Sequence, residues 1–454
     1  MKTVIKRLVF YIQIQLESPL NVASGEDEWT DADILRDFDG NPFVPGSSLA
    51  GAMRSYIGEK DNEWELFGYS KDDIEGKMSP LFISDLVFDQ EPVTGVRDGV
   101  GLNEKKVAKD GCKFDMEILE TGLKGHFYLE LVVRGGDREE EMKKQITTVF
   151  QGIQQGEICL GRKKTRGFGA FKITRLSVRS YGKDNYLEYA DAYKASTWEK
   201  ASDELESWLH AEPDSRRMLH IEVPLVMKGG ISIRQYAAKK NEPDFVHITS
   251  NGVPVIPGSS FAGAIRHRVE QILGELEADS TELPVKKNEI LETMFGYVDE
   301  TAGNQGAGVG AEAKQSVNAD SGHASNVVIS EARIDARPLT MVRTGISRFE
   351  SAVRDGALYK EKTYVDGHFT LEIAVQKGKH PEDFKWMTGI LLLAVKDLQN
   401  GYLAVGGQTA AGRGVFAPDT SEEYPEGVIF IDGKPGLENQ FIAEAFNCLC
   451  AHKR

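Results

Sequence analysis

Phe43–Arg54 reads FVPGSSLAGAMR, and Val255–Arg266 reads VIPGSSFAGAIR. Pro45 and Pro257 stand 212 positions apart, and the agreement continues outward from them. LFGY at Leu66 is answered by MFGY at Met294, and FISD at Phe82 by VISE at Val328. Thr94-Gly95-Val96-Arg97 is answered by Thr344-Gly345-Ile346 with Arg348 nearby, and GHFYLEL at Gly125 by GHFTLEI at Gly367. GRKKTRGFGAF at Gly161 pairs with GGQTAAGRGVF at Gly406. Six matches in the same order mark a tandem duplication, in which one supersecondary plan is written twice.

Each half opens on an alternating apolar segment, VFYIQIQL or LHIEVPLVM, which reads as a strand. A helix follows the PGSS sequence. Ser47 or Ser48 can cap it, and Leu49, Met53 and Ile57 fall on one face. Further strands, a helix around Met142–Gln155 and a Gly-rich loop complete the half. This order predicts an α+β fold with a ferredoxin-like βαββαβ core in each half. The expected division is a first module over 1–178, a helical connector over 179–217 and a second module over 218–454. Trp198, Leu205 and Trp208 give the connector more apolar content than a bare linker needs. The composition of Thr301–Asn326, rich in Gly, Ala and Asn, predicts a mobile loop.

The 454 residues exceed one ordinary core. A hydrophobic content of 41% and a charged content of 27% are those of a globular chain. No stretch reaches the roughly 20 apolar residues of a membrane span. In MKTVIKRLVFYIQIQLESPL, Gln13, Gln15 and Glu17 interrupt the apolar run, so it reads as a first strand and not as a signal peptide. Cys112, Cys159, Cys448 and Cys450 have no zinc or disulfide spacing, which suits a reducing, cytoplasmic setting. The net charge of -16 argues against a nucleic-acid binder that works by bulk charge, and leaves room for a local basic track.

A Gly-Ser-Ser turn at a helix start points N–H groups and hydroxyls at an anion. Ser47, Ser48, Ser259 and Ser260 are therefore candidate phosphate contacts, with Arg54 and Arg266 two turns further on. A capped helix with a surface arginine explains either copy alone. The Gly-rich loops add Gly161, Arg162, Lys163, Lys164, Arg166 and Gly167 in the first half. In the second half they add Gly406, Gly407, Gly412 and Arg413.

Together the PGSS helix, the FG pair, the IS-acidic strand, the TG-hydrophobic-x-R hairpin and the terminal Gly-rich loop resemble the RAMP superfamily. More narrowly they resemble the backbone subunits of type III CRISPR effector complexes, in the fused form that supplies two modules. The resemblance implies guide RNA held by the Gly-rich loop and PGSS helix. It implies a thumb hairpin that interrupts the guide–target duplex, and an aspartate before PGSS that cuts target RNA with Mg²⁺ or Mn²⁺. Asp31-Ala-Asp-Ile-Leu-Arg36-Asp37 matches that register. Asp31 is thus the first candidate for catalysis and metal binding, Asp33 the second, with Glu26, Asp27 and Glu28 near enough to share a metal. The second half lacks the Arg-Asp pair. Asp244 and Glu242 are its only acids there; Asp244 is the candidate second nuclease residue, with an inactive second module as the alternative, and Lys239, Lys240 and His247 are candidate RNA contacts. Other effector subunits and a complementary target RNA are the implied partners, and no membrane is among them.

Two rival readings are a scaffold that holds guide RNA with idle acids, and a repeat-RNA processing endoribonuclease. The acidic total and the lack of a suitable His general base count against the second. His126 and His368, in matched GHF sequences, read as structural.

Overall fold

A computed structural model describes residues 3–25, 29–58, 64–71, 75–102, 107–236, 243–278, 285–298, 322–377, 381–421 and 427–450. The chain divides into two compact units. The first comprises Met1–Lys164 and Phe168–Arg217; the second comprises Thr165–Gly167 and Met218–Arg454. The connector groups with the first unit.

The first unit contains strands β1 (Val4–Leu16), β2 (Phe43–Val44), β3 (Leu81–Ile83), β4 (Leu86–Phe88), β5 (Thr94–Leu102), β6 (Ala108–Leu119), β7 (Lys124–Arg134) and β8 (Phe171–Tyr181), besides a small hairpin of Tyr69–Lys71 and Glu75–Lys77. Helix α1 spans Gly46–Ile57 and α2 spans Glu139–Gln154. The antiparallel sheet runs β8-β1-β7-β4-β2, with β3 also on β7. This is the ferredoxin-like order, with hairpin β5–β6 inserted before β7. Phe10, Ile12, Ile14 and Leu16 alternate along β1 and pack with Leu49 and Met53 of α1 and Ile146 and Phe150 of α2.

The other face of that sheet is covered as well. Val9, Tyr11 and Tyr128 form a second cluster with Tyr181, Ala192 and Trp198. Trp198 stacks on Tyr11 at 5.7 Å between ring centroids and donates its indole N–H to the Ala192 carbonyl. The connector is three short helical pieces, Tyr186–Asp191, Ala195–Trp198 and Leu205–Leu209, and not one helix. Its last piece brings Trp208 against Phe10 on the helix side.

The second unit repeats the plan with β9 (Met218–Met227), β10 (Arg234–Tyr236), β11 (Phe245–His247), α3 (Gly258–Ala278), β12 (Val327–Ile329), β13 (Asp335–Arg343), β14 (Tyr359–Gln376), α4 (Pro381–Gln399) and β15 (Phe416–Pro418). Strand β9 lies between β14 and β15, and β12 pairs with β14, so the ferredoxin-like order recurs. Strand β14 is long enough to serve twice. Its first half pairs with β13 as the thumb, and its second half is a central strand. Of the loop expected to be mobile, residues 301–321 lie outside the described residues. Gly322–His323 pairs with Tyr297–Val298. No helix among the described residues is long and apolar enough to cross a membrane.

Candidate functional site

Neither serine caps α1. The helix begins at Gly46, and Pro45 holds the cap position without a side-chain hydrogen bond. The Gly46 N–H donates instead to Asp85 Oδ1 at 2.8 Å, so the acid of the FISD strand satisfies the helix start. The glycine is required there because a Cβ would run into the Ile83 carbonyl. One N–H that the sequence offered to phosphate is therefore spent internally. Ser47 and Ser259 remain exposed, as do Arg54 and Arg266, while Ser48 and Ser260 are half-buried.

The acidic loop is tied to the thumb. The Asp31 N–H donates to Asp115 Oδ1 at 3.0 Å, and the Asp115 N–H returns a bond to Asp31 Oδ2 at 2.9 Å. This reciprocal pair ties exposed Asp31 to half-buried Asp115 on β6. Asp33 has a different task. It is buried, and its carboxylate accepts the N–H groups of Trp29 and Thr30 and the Thr30 hydroxyl, at 3.0, 2.9 and 2.8 Å. It shapes the turn that presents Asp31, and leaves Trp29 87% exposed. Arg36 and the Ile34 N–H both reach Glu117 of β6, at 2.5 and 3.1 Å. Glu26, Asp27 and Glu28 lie outside the described residues.

The first Gly-rich loop contributes exposed Arg162 and Lys164. Lys163 is turned inward, with its ammonium 3.5 Å from the Phe114 ring centroid on β6. Burial, with Arg162 close by, pushes its pKa down to about 8. Half-buried Arg166 donates to the Phe295 carbonyl at 3.2 Å within the second unit. Gly169 and Gly414 share one role: each has positive φ, and a Cβ would strike the carbonyl of Leu160 or Val405. Gly412 differs, since it too has positive φ but faces open space.

In the second unit Asp244 is exposed and accepts the Lys360 N–H at 2.7 Å, again on the second thumb strand. Glu242, Lys239 and Lys240 lie outside the described residues. His247 is 2% exposed. It accepts the Ile233 N–H at Nδ1 (3.0 Å) and donates from Nε2 to the Val255 carbonyl (2.9 Å), so it is a backbone brace and not an RNA contact. Burial depresses its pKa to about 4, against the smaller opposing effect of the Val255 carbonyl.

Arg413, expected at the RNA, is 4% exposed, and its Nη1 lies 3.0 Å from Glu361 Oε1. The fully buried Glu361 also accepts the Ser232 hydroxyl at 2.7 Å and a Gln408 amide hydrogen at 3.3 Å. Arg234 Nε lies 3.4 Å from it and Arg343 Nε 3.5 Å. Burial alone would raise its pKa. The Ser232 bond and the charges of Arg413 and Arg234 outweigh that and hold it below the usual carboxylate range. Nothing in the spacing of Glu361 signals this cluster, because its partners come from three separate segments.

The matched histidines each meet an acid. His126 Nδ1 lies 2.6 Å from Asp89 and His368 Nδ1 3.2 Å from Asp419. The two acids stand at unrelated places in the chain, so no repeat in the sequence reveals them. Among the described residues no three His, Cys, Asp or Glu converge as a metal-binding group. Asp31 and Asp115 form a pair.

The family model of the RAMP superfamily matches two stretches, residues 13–172 and 220–417. A comparison with curated proteins gives no match. The chain belongs to the RAMP superfamily, with one stretch of similarity in each half, and membership carries with it CRISPR-associated RNA binding.

Proposed function

We propose that this chain is a cytoplasmic, guide-RNA-binding backbone subunit of a type III CRISPR effector complex, and that its first unit cuts complementary target RNA at Asp31. One observation carries the reading. Exposed Asp31 is held to Asp115 by two reciprocal hydrogen bonds, each from one residue's backbone N–H to the other's carboxylate, partway along the hairpin that would interrupt the duplex. Guide RNA, target RNA and sister subunits are the partners.

The paired carboxylates suit a hydrated Mg²⁺ or Mn²⁺, since such ions are held by one or two carboxylates together with water and substrate phosphate. Asp31 and Asp115 would hold it, and its charge would offset the charge that builds on the phosphate. The rest falls to the chain. Asp33 fixes the turn, Glu117 gathers Arg36 and the Ile34 N–H, and Asp31 orients the 2′-hydroxyl for in-line attack on the neighbouring phosphorus. In that attack the 2′ proton passes to water, the P–O5′ bond breaks to leave a 2′,3′-cyclic phosphate, and the departing 5′ oxygen takes a proton from water. A scaffold role is favoured for the second unit. Asp244 and Asp31 each accept a backbone N–H of the second thumb strand, but the donor is Lys360 in the second unit and Asp115 in the first, so a lysine stands where the first unit has its second carboxylate.

The test uses the assembled complex with labelled complementary RNA and Mg²⁺. Asp31→Ala is expected to slow one cut by at least about 100-fold with target binding intact. Asp244→Ala is expected to leave all cuts in place. Survival of every cut in Asp31→Ala would make the whole chain a scaffold.

A further inference from the structure

The cluster around Glu361 joins parts of the second unit that are far apart in sequence. Glu361 stands on β14 in the thumb half of that strand, and Arg343 ends the opposing strand β13. Gln408 and Arg413 belong to the Gly-rich loop, Ser232 and Arg234 to the segment that follows β9. The backbone follows the same lines. The Gly407 N–H donates to the Ser232 carbonyl at 2.8 Å, and the Gly414 N–H to the Gly230 carbonyl at 2.9 Å. Arg234 is also stacked, 4.5 Å from the Phe245 ring centroid and 5.7 Å from that of Tyr359.

Three guanidiniums surround one carboxylate, so two positive charges are left over. They are not buried away. The side chains of Arg234 and Arg343 are 35% and 32% exposed, while those of Glu361 and Arg413 are 0% and 5% exposed. Arg413 Nη1 and Nη2 are both buried without a hydrogen-bond partner among the described residues, so Arg413 meets Glu361 as an ion pair. A carboxylate at the hidden end of the cluster and surplus charge at the open end make a directional arrangement. Its outward face suits a single phosphate.

We propose that Glu361 is the positioning residue of the second unit's RNA grip. It locks the Gly-rich loop to the far end of the paired thumb strands and turns the surplus charge of Arg234 and Arg343 toward one RNA phosphate. This rests on the RNA-binding reading above and adds a residue that acts through others without touching RNA. Glu361 sets the spacing between two elements that must meet the polymer together, as a buried ion cluster is suited to do.

The experiment compares the full chain with Glu361→Gln, first without RNA and then with guide RNA. Residue-resolved amide exchange of the free protein should show Gly407, Gly414 and the β13 amides opening together, at least about tenfold faster than in the native chain. Unchanged exchange in the loop would overturn the proposal. With guide RNA, the plot of log affinity against log salt should steepen by about 0.7, because one more uncompensated charge meets a single strand. Protection of the nucleotides at the second unit should lose its sharp edge. An unchanged salt slope together with an unchanged footprint would also overturn the proposal. If the native chain binds no guide RNA, the functional reading fails, and the exchange data alone decide whether Glu361 couples loop to thumb. Should Glu361→Gln unfold the unit, Arg413→Lys replaces it. That variant keeps the charge and loses the guanidinium fork, and faster loop exchange is expected; no change would reject the coupling.

Discussion

The glutamates of GHFYLE and GHFTLE occupy the same place in the two units and lead opposite lives. Glu130 on β7 is 3% exposed and holds Arg7, Tyr189 and Tyr193 through its carboxylate. Glu372 on β14 is exposed and stands directly across from Glu222, with Gln376 exposed on the same face. The backbones around them match in strand order and register. The difference is the connector, which lays Tyr189, Tyr193 and Trp198 over the first sheet. Duplication copied the frame; what covers the frame was settled separately in each half. The polar ties that hold the thumbs diverged in the same way. In the first unit Asp31 meets Asp115 and Lys163 meets Phe114, while the second unit ties Asp244 to Lys360 and gathers further ties on Glu361.

The comparison can be broken most severely at Trp198. Trp198→Ala removes a 1%-exposed aromatic and is expected to cost the first unit about 4 kcal/mol. Residue-resolved amide exchange reads each unit separately, because a chain of two units need not unfold in one step. Protection lost equally from both units would sink the idea of a cover private to the first.

His247 supplies a pH test confined to the second unit. Its pKa is about 4 when folded and 6.5 when free, so between those values the unfolded chain binds more protons and stability falls as the medium is acidified. The full effect is about 3 kcal/mol, present above pH 6.5 and lost as pH falls through 4. Thermal melts of the native chain against His247→Gln should converge in that window. Parallel curves would reject the assignment.

Glu130→Gln sharpens the contrast at its source. It is expected to cost the first unit about 2 kcal/mol, because a buried charged acceptor loses its strong bonds to Arg7 and two tyrosines. Glu372→Gln should leave the second unit's denaturation midpoint unmoved or slightly raised, given the facing Glu222. Equal losses would mean that the cover is incidental. The smallest effect belongs to Lys163→Met, which keeps apolar contact with Phe114 and gives up the cation over the ring. A loss of about 0.5 kcal/mol is expected in chemical denaturation, and less at high salt.

Much of the fold was legible in the chain. The alternation in VFYIQIQL, the apolar stripe Leu49–Met53–Ile57 and the repeated glycines all reflect constraints that act over a few residues. Asp31 stood out as a candidate through its register before PGSS, and the structure adds its partner Asp115. Three readings failed where a distant group intervened. Asp85 took over the helix start from the serines, Glu361 drew Arg413 inward, and two backbone groups claimed His247.

By itself, then, the sequence determined that there are two modules, what order their elements take and where backbone must bend. Periodicity, φ preference and repetition are local, and a reader can count them. Only the tertiary structure decided which polar groups are spent inside and which are left for RNA. Asp31 and Asp115 lie 84 residues apart and Arg234 and Glu361 lie 127 apart, and nothing local records such a meeting. Pairing energies depend on distance in space and on burial, which exist only once the sheets have closed.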